Sequence, residues 1–98
     1  MRVIMKMKWN AVTPKLYEDV KKSVQWDTNP PKGLLLHLVG FSNGAMHITD
    51  IWESEEEFED FTHNRLMAGV SKTNFNGILP EIEVFPVHAA YSPSGKDL

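Results

Sequence analysis

His37 and Asp50 flank an Asn43-Gly44 pair in the stretch GLLLHLVGFSNGAMHITDIWES, from Gly33 to Ser54. If Asn43 and Gly44 form a hairpin turn, the two side chains stand opposite one another on one face of the sheet. An imidazole and a carboxylate so placed form a hydrogen bond. Asp50 would fix the tautomer of His37, leaving one ring nitrogen to take a proton from a substrate as a general base. The same pair also reads as two polar groups that satisfy each other inside an apolar sheet. No Ser or Thr is placed for activation by His37, so a nucleophilic triad is not indicated.

Trp52 lies two residues beyond Asp50 on the same face, where it either stacks on a planar aromatic ligand or packs in the core. Arg65 falls within about 20° of Phe58 on a helical wheel, in the arc carrying Phe61, Leu66 and Gly69, and is expected to point inward. A buried guanidinium needs a carboxylate, with Asp50 the natural partner and Glu53 the alternative. It serves either as an anion or enolate clamp at a pocket mouth or as a salt bridge whose stem covers phenylalanine. His63 points to solvent on the same wheel. His47 and His88 lie on different strands without metal-ligand spacing, so no metal site is expected.

The elements that must position these residues are readable from periodicity. Val3, Met5, Met7 and Trp9 alternate with Lys6 and Lys8 as a half-buried strand. Thr13-Pro14 opens a helix as N-cap and first helical residue, with Leu16, Val20 and Val24 at helical spacing to about Gln25. The loop WDTNPPKG follows. Gly33 to Phe41 and Ala45 to Glu53 are the hairpin strands, pairing Phe41 with Met46, Val39 with Ile48, His37 with Asp50 and Leu35 with Trp52. Ser54 and Glu57 form a capping box for a second helix to about Ser71, and the acidic run from Glu53 to Asp60 suits its N-terminal dipole and a solvated face. After a loop with Asn76-Gly77, EIEVFPVHAAY reads as a fourth strand, placed at an edge by Pro86.

The order is β-α-β-β-α-β, an α+β ferredoxin-like fold with a four-stranded antiparallel sheet, strands one and three central. It occupies residues 1–92, with a polar tail over 93–98. The opposite face of the hairpin carries Leu34, Leu36, Leu38, Gly40, His47, Thr49 and Ile51. Both faces are thus largely apolar, yet two helices cover only one. A second copy is expected on the other, giving a homodimer by sheet-to-sheet packing. Lys6 and Lys8 fit this badly unless they lie at the rim of the contact or their strand is less covered.

Composition narrows the classes. The chain has 98 residues, 42% of them hydrophobic, and a formal charge of −3, so it offers one modest core and no basic field for nucleic acid. It has no cysteine, which removes disulfides, thiolate metal sites and cysteine nucleophiles. No apolar run is long enough to span a bilayer and the N-terminal segment lacks a signal-peptide core, so a soluble cytoplasmic protein without membrane contact is expected.

The hairpin, the following WESEEEFEDFTHNRL and the closing Pro86-Val87-His88 resemble the dimeric α/β-barrel superfamily, in particular its antibiotic-biosynthesis-monooxygenase-like members. Asp50, Trp52, Glu53, Ser54 and Phe58 carry the most specific part of the likeness. The resemblance implies ferredoxin-like subunits pairing into a dimeric barrel, with a small hydrophobic or aromatic ligand between the sheet and helices of each. Members include cofactor-free oxygenases of polycyclic aromatics, haem-degrading enzymes, isomerases and proteins without known activity. Where haem-degrading members carry a Trp and an axial His on the second helix, this chain has Phe61 and about Ser71, so haem is not implied. For the Asn, Tyr and Trp of the cofactor-free oxygenases, Asn10 and Trp52 are the available residues. The sequence therefore suggests His37 and Asp50 as catalytic groups, Trp52, Arg65, Phe61 and Asn10 as substrate-binding groups, and no cofactor. The alternatives are a non-catalytic ligand-binding dimer and an interaction module whose pocket is filled by its own side chains.

Overall fold

The computed structural model describes residues 1–73 and 77–94. Its elements are β1 (Val3–Asn10), α1 (Pro14–Ser23), β2 (Leu34–Ser42), β3 (Ala45–Trp52), α2 (Glu55–Phe61), a π-helical turn (Thr62–Leu66), α3 (Met67–Val70) and β4 (Glu81–Pro86). The four-stranded sheet has the order β2-β3-β1-β4, antiparallel throughout, so β1 and β3 are central and the proline-bearing strand lies at an edge as expected. Val3, Met5, Met7 and Trp9 face the helices and are buried, and with Met46, Trp52, Phe58, Phe61 and Val70 they form the core.

Thr13 caps α1, its hydroxyl accepting from the Leu16 N–H. The helix stops two residues before the predicted Gln25. The Gln25 N–H donates to Lys22 O and the Trp26 N–H to Lys21 O, the paired closure of a Schellman motif, with Gln25 left-handed at φ 59° where glycine is usual. This closure aims Trp26 back toward the sheet.

The hairpin turns on Asn43 and Gly44, both with positive φ, and pairs His37 with Asp50 as predicted. The register slips between Leu34 and Leu36, so Leu34 stands opposite Trp52 where Leu35 was expected. Leu34 therefore packs on the core instead of lying on the outer face. A one-residue bulge of this kind exchanges the faces of every residue beyond it.

Ser54 caps α2 by accepting from the Glu57 N–H, and α2, the π turn and α3 run on end to end to Val70. The π turn inserts one residue into the helical repeat, so a wheel of 3.6 residues per turn misplaces whatever follows it. Strand β4 ends at Pro86, shorter than the predicted segment. The Asn76-Gly77 loop and the polar tail over 93–98 fall partly outside the described residues.

On the outer face, Ile4 aligns with Ile51 and Phe85, while Lys6 and Lys8 align with Glu83 and Glu81 of β4. That face is therefore charged along one half. Leu36, Leu38, Ile51, Ile4 and Phe85 make up its apolar half, where Leu38 is 56% and Phe85 38% exposed. Among the described residues no helix is long and apolar enough to cross a membrane.

Candidate functional site

Between the inner face of the sheet and the helices lies a cavity of about 70 Å³. Its walls are apolar and soft, with Met5, Met7 and Met46 from the sheet, Leu16 and Val20 from α1, Phe58 and Phe61 from α2, and Trp26 from the loop after α1. Beside Lys21 of α1, the lining takes in three polar side chains that touch one another: Asp50, His37 and Tyr17.

They form one hydrogen-bonded chain. Trp52 Nε1 donates to Asp50 Oδ2 at 3.1 Å, His37 Nδ1 lies 2.6 Å from Asp50 Oδ1, and the Tyr17 hydroxyl lies 2.8 Å from His37 Nε2. An indole N–H can only donate, and a carboxylate can only accept. We therefore assign the proton of neutral His37 to Nδ1, pointing at Asp50, and let Nε2 accept from Tyr17. Asp50 is 3% exposed, so its charge is held by these two donors rather than by water.

Tyr17 was not singled out from the sequence. It was legible there, since Tyr17, Val20 and Val24 share the i, i+3, i+7 stripe of α1. Burial raises its phenol above the ordinary value of 10.0, and the carboxylates of Glu18, Asp50 and Asp27 push in the same direction. The folded chain thus holds this proton more tightly than the unfolded chain does. Its contribution to stability is complete below pH 10.0 and is lost as the pH climbs through the folded-state value. Tyr17→Phe is expected to remove that increment: urea midpoints measured on either side of pH 10 should converge relative to the parent. The tyrosinate absorbance missing from the variant should appear only above that pH.

Trp52, 1% exposed, borders the cavity with its ring against Phe58 and Phe61, at centroid distances of 5.6 and 5.8 Å. Phe61 is buried in the same wall. Asn10 does not join the site: it is exposed on the outer face of β1, opposite Ala45. Arg65 reaches neither Asp50 nor Glu53. Its Nη2 donates to the carbonyls of Val24 and Asn29, each at 2.6 Å, and its guanidinium sits 5.3 Å from the Phe61 ring centre. The π turn is the physical reason, because it carries Arg65 off the predicted arc toward the C-terminal end of α1. Glu53 pairs instead with Arg2 at 3.8 Å. His63 and His47 are exposed, and among the described residues no three His, Asp or Glu side chains gather as a metal site.

No family model matches the sequence, and no curated protein matches it. Solved structures do. A putative antibiotic biosynthesis monooxygenase from Chloroflexus aurantiacus superposes with a TM-score of 0.64 at 14% identity, over 94% of this chain and 98% of that one. SnoaB, a cofactor-independent oxygenase from Streptomyces nogalater, gives 0.63 at 7% identity, over 91% and 95%. A monooxygenase from the gene ActVA-Orf6 of Streptomyces coelicolor, in complex with nanaomycin D, gives 0.61 at 18% identity, over 93% and 91%. The chain thus has the ferredoxin-like fold of the antibiotic-biosynthesis-monooxygenase-like proteins.

Proposed function

We propose that the protein is a homodimeric, cofactor-independent oxygenase acting on a planar aromatic substrate with an acidic hydroxyl or an activated methylene next to a carbonyl. The observation that carries this reading is the Tyr17–His37–Asp50 chain opening into an otherwise apolar cavity. Support also comes from the fold shared with SnoaB and with the nanaomycin D complex of the ActVA-Orf6 monooxygenase.

His37 Nε2 is the base, and Asp50 stabilises the imidazolium that forms. In the resting site the Tyr17 hydroxyl occupies that nitrogen. When a substrate carbonyl or phenolate oxygen enters, Tyr17 turns to donate to it, which frees Nε2 and stabilises the developing enolate. The resulting carbanion is spread over the ring system and reacts with dioxygen. A methylene loses two hydrogens, one oxygen atom becomes a carbonyl, and the other leaves as water, so that CH₂ + O₂ gives C=O + H₂O. Trp52 holds Asp50 in place, and Phe61 and Trp52 form the aromatic wall.

A hydroxylated anthrone tests this reading in an oxygen electrode. Stoichiometric oxygen uptake with quinone formation, absent from a His37→Ala variant, is the expected result. Saturable binding without uptake would instead make the protein a ligand-binding module with the same pocket.

The apolar half of the outer sheet face supports the dimer, because Leu36, Leu38, Ile51, Ile4 and Phe85 leave a patch that a second sheet would cover. Light scattering at micromolar concentration is expected to return twice the 11.2 kDa mass of one chain. A monomer mass rejects the pairing, and Leu38→Lys is expected to shift a dimer toward monomer.

A further inference from the structure

Resting on that reading, we infer that Trp26 is the movable wall of the cavity and Arg65 its latch, so that these two residues set the size of aromatic ligand that His37 can meet. A cavity of about 70 Å³ is too small for the substrate class. An apolar cavity of about 150 Å³ is what takes up a single benzene ring. Something must therefore move before a ligand of two or three rings can lie against the imidazole.

Apart from the flexible ends of its methionines, most of the lining is held in place. The sheet wall is tied into its ladder, and Trp52, Phe58 and Phe61 pack on one another. Trp26 also packs on aromatic rings but lies outside the strand ladder. It is only half-buried, lies in the segment between α1 and β2, and rests with its ring centroid 4.6 Å from that of His37 and edge-on to Phe61. The segment is bounded by two positive-φ residues, Gln25 at 59° and Gly33 at 88°. A glutamine in that conformation is strained, so the closed form is held from elsewhere.

The holding group is Arg65. Its two bonds, to Val24 O at the end of α1 and to Asn29 O across the loop, tie the segment to the π turn. Asn29 itself closes back on Gln25 O at 2.8 Å. Charge-assisted bonds of this length are the stronger kind, yet both acceptors are main-chain carbonyls that water can serve equally well once the loop lifts. When Trp26 swings off His37, a planar ring takes its place against the imidazole with its hydroxyl edge toward Tyr17. The fitting ligand is therefore a fused, planar aromatic alcohol of two or three rings, and one ring alone would leave the space half filled.

Two readouts on the whole 98-residue chain test this, using phenol, 2-naphthol and 1,8-dihydroxyanthraquinone as probes. Arg65→Met keeps an apolar stem without the donors. It is expected to raise amide exchange at Asn29 and Trp26 by about tenfold or more while the sheet amides stay unchanged. Trp26→Ala is expected to improve binding of the three-ring probe relative to phenol by about tenfold, and Trp26→Phe by less. Unchanged exchange in Arg65→Met overturns the latch. An unchanged order of affinities across ring number in Trp26→Ala, with all probes still binding, overturns the movable wall. If exchange rises but no probe binds any variant, the latch stands and the oxygenase reading falls instead.

Discussion

Asp50→Asn is expected to leave the chain folded while lowering turnover by about 10²–10⁴-fold, the range lost when a positioned general base is disabled. The asparagine carbonyl can still accept from the Trp52 indole, which donates to Asp50 Oδ2 in the parent. Its NH₂ group then faces His37 Nδ1, which sits 2.6 Å from Asp50 Oδ1 in the parent. Two donors cannot face each other, so His37 must move its proton to Nε2 and accept at Nδ1. Nε2 then donates to Tyr17 and can no longer take a proton from a substrate. All three hydrogen bonds survive, the two at His37 with their direction reversed and the Trp52 bond unchanged, which is why stability is largely kept. Imidazole nitrogen-15 shifts check this without any substrate: the protonated nitrogen should change from Nδ1 to Nε2. Asp50→Ala offers no such exchange. It strands the His37 and Trp52 donors and is expected to cost about 3–5 kcal/mol, as breaking a buried charged partnership does.

Trp52→Ala should destabilise the chain as strongly as Asp50→Ala. Truncating a buried tryptophan costs about 3–5 kcal/mol through lost transfer energy and the cavity left behind. Trp52 is 1% exposed, packs on Phe58 and Phe61, and supplies one of the two donors to Asp50. Against a total stability of about 5–15 kcal/mol for a small domain, that loss removes much of the folded population. A urea titration followed by circular dichroism measures it, with a large fall in midpoint expected. Trp52→Phe separates the two contributions, since it keeps most of the ring and loses only the N–H. It should cost about 1–3 kcal/mol, the penalty for a buried acceptor left short of a donor. If Trp52→Phe were as damaging as Trp52→Ala, the hydrogen bond to Asp50 rather than the packing would dominate.

Much of this architecture was legible because local signals agree with the fold. Asn43-Gly44 sets the hairpin, and counting outward from it places His37 opposite Asp50. Thr13-Pro14 and Ser54 start the helices where capping chemistry requires. The failures share a cause: each depends on a local departure from a regular repeat. The bulge between Leu34 and Leu36 shifts Leu34 inward, and the π turn carries Arg65 away from Asp50. Neither has a composition signal. Gln25 ends α1 in a conformation that sequence reasoning reserves for glycine, so the helix was read too long and Trp26 was left in a loop without a role. Asn10 entered through the family likeness rather than through strand alternation, which by itself assigns it to the face opposite Met7 and Trp9. Tyr17 lies on a stripe the sequence shows, but its meeting with His37 needed a three-dimensional fact, the distance from α1 to β2, that no spacing along the chain contains.

The most direct test of the site uses the three tryptophan indole N–H signals in a proton–nitrogen spectrum. With each signal assigned by single substitution, the protein is titrated with a hydroxylated two- or three-ring aromatic. The Trp52 and Trp26 signals should move together and saturate, because one indole is bonded to Asp50 and the other leans on His37. If every indole signal stays fixed while the protein remains folded, the cavity takes no such ligand. Tyr17, His37 and Asp50 would then be a polar brace between the sheet and its first helix.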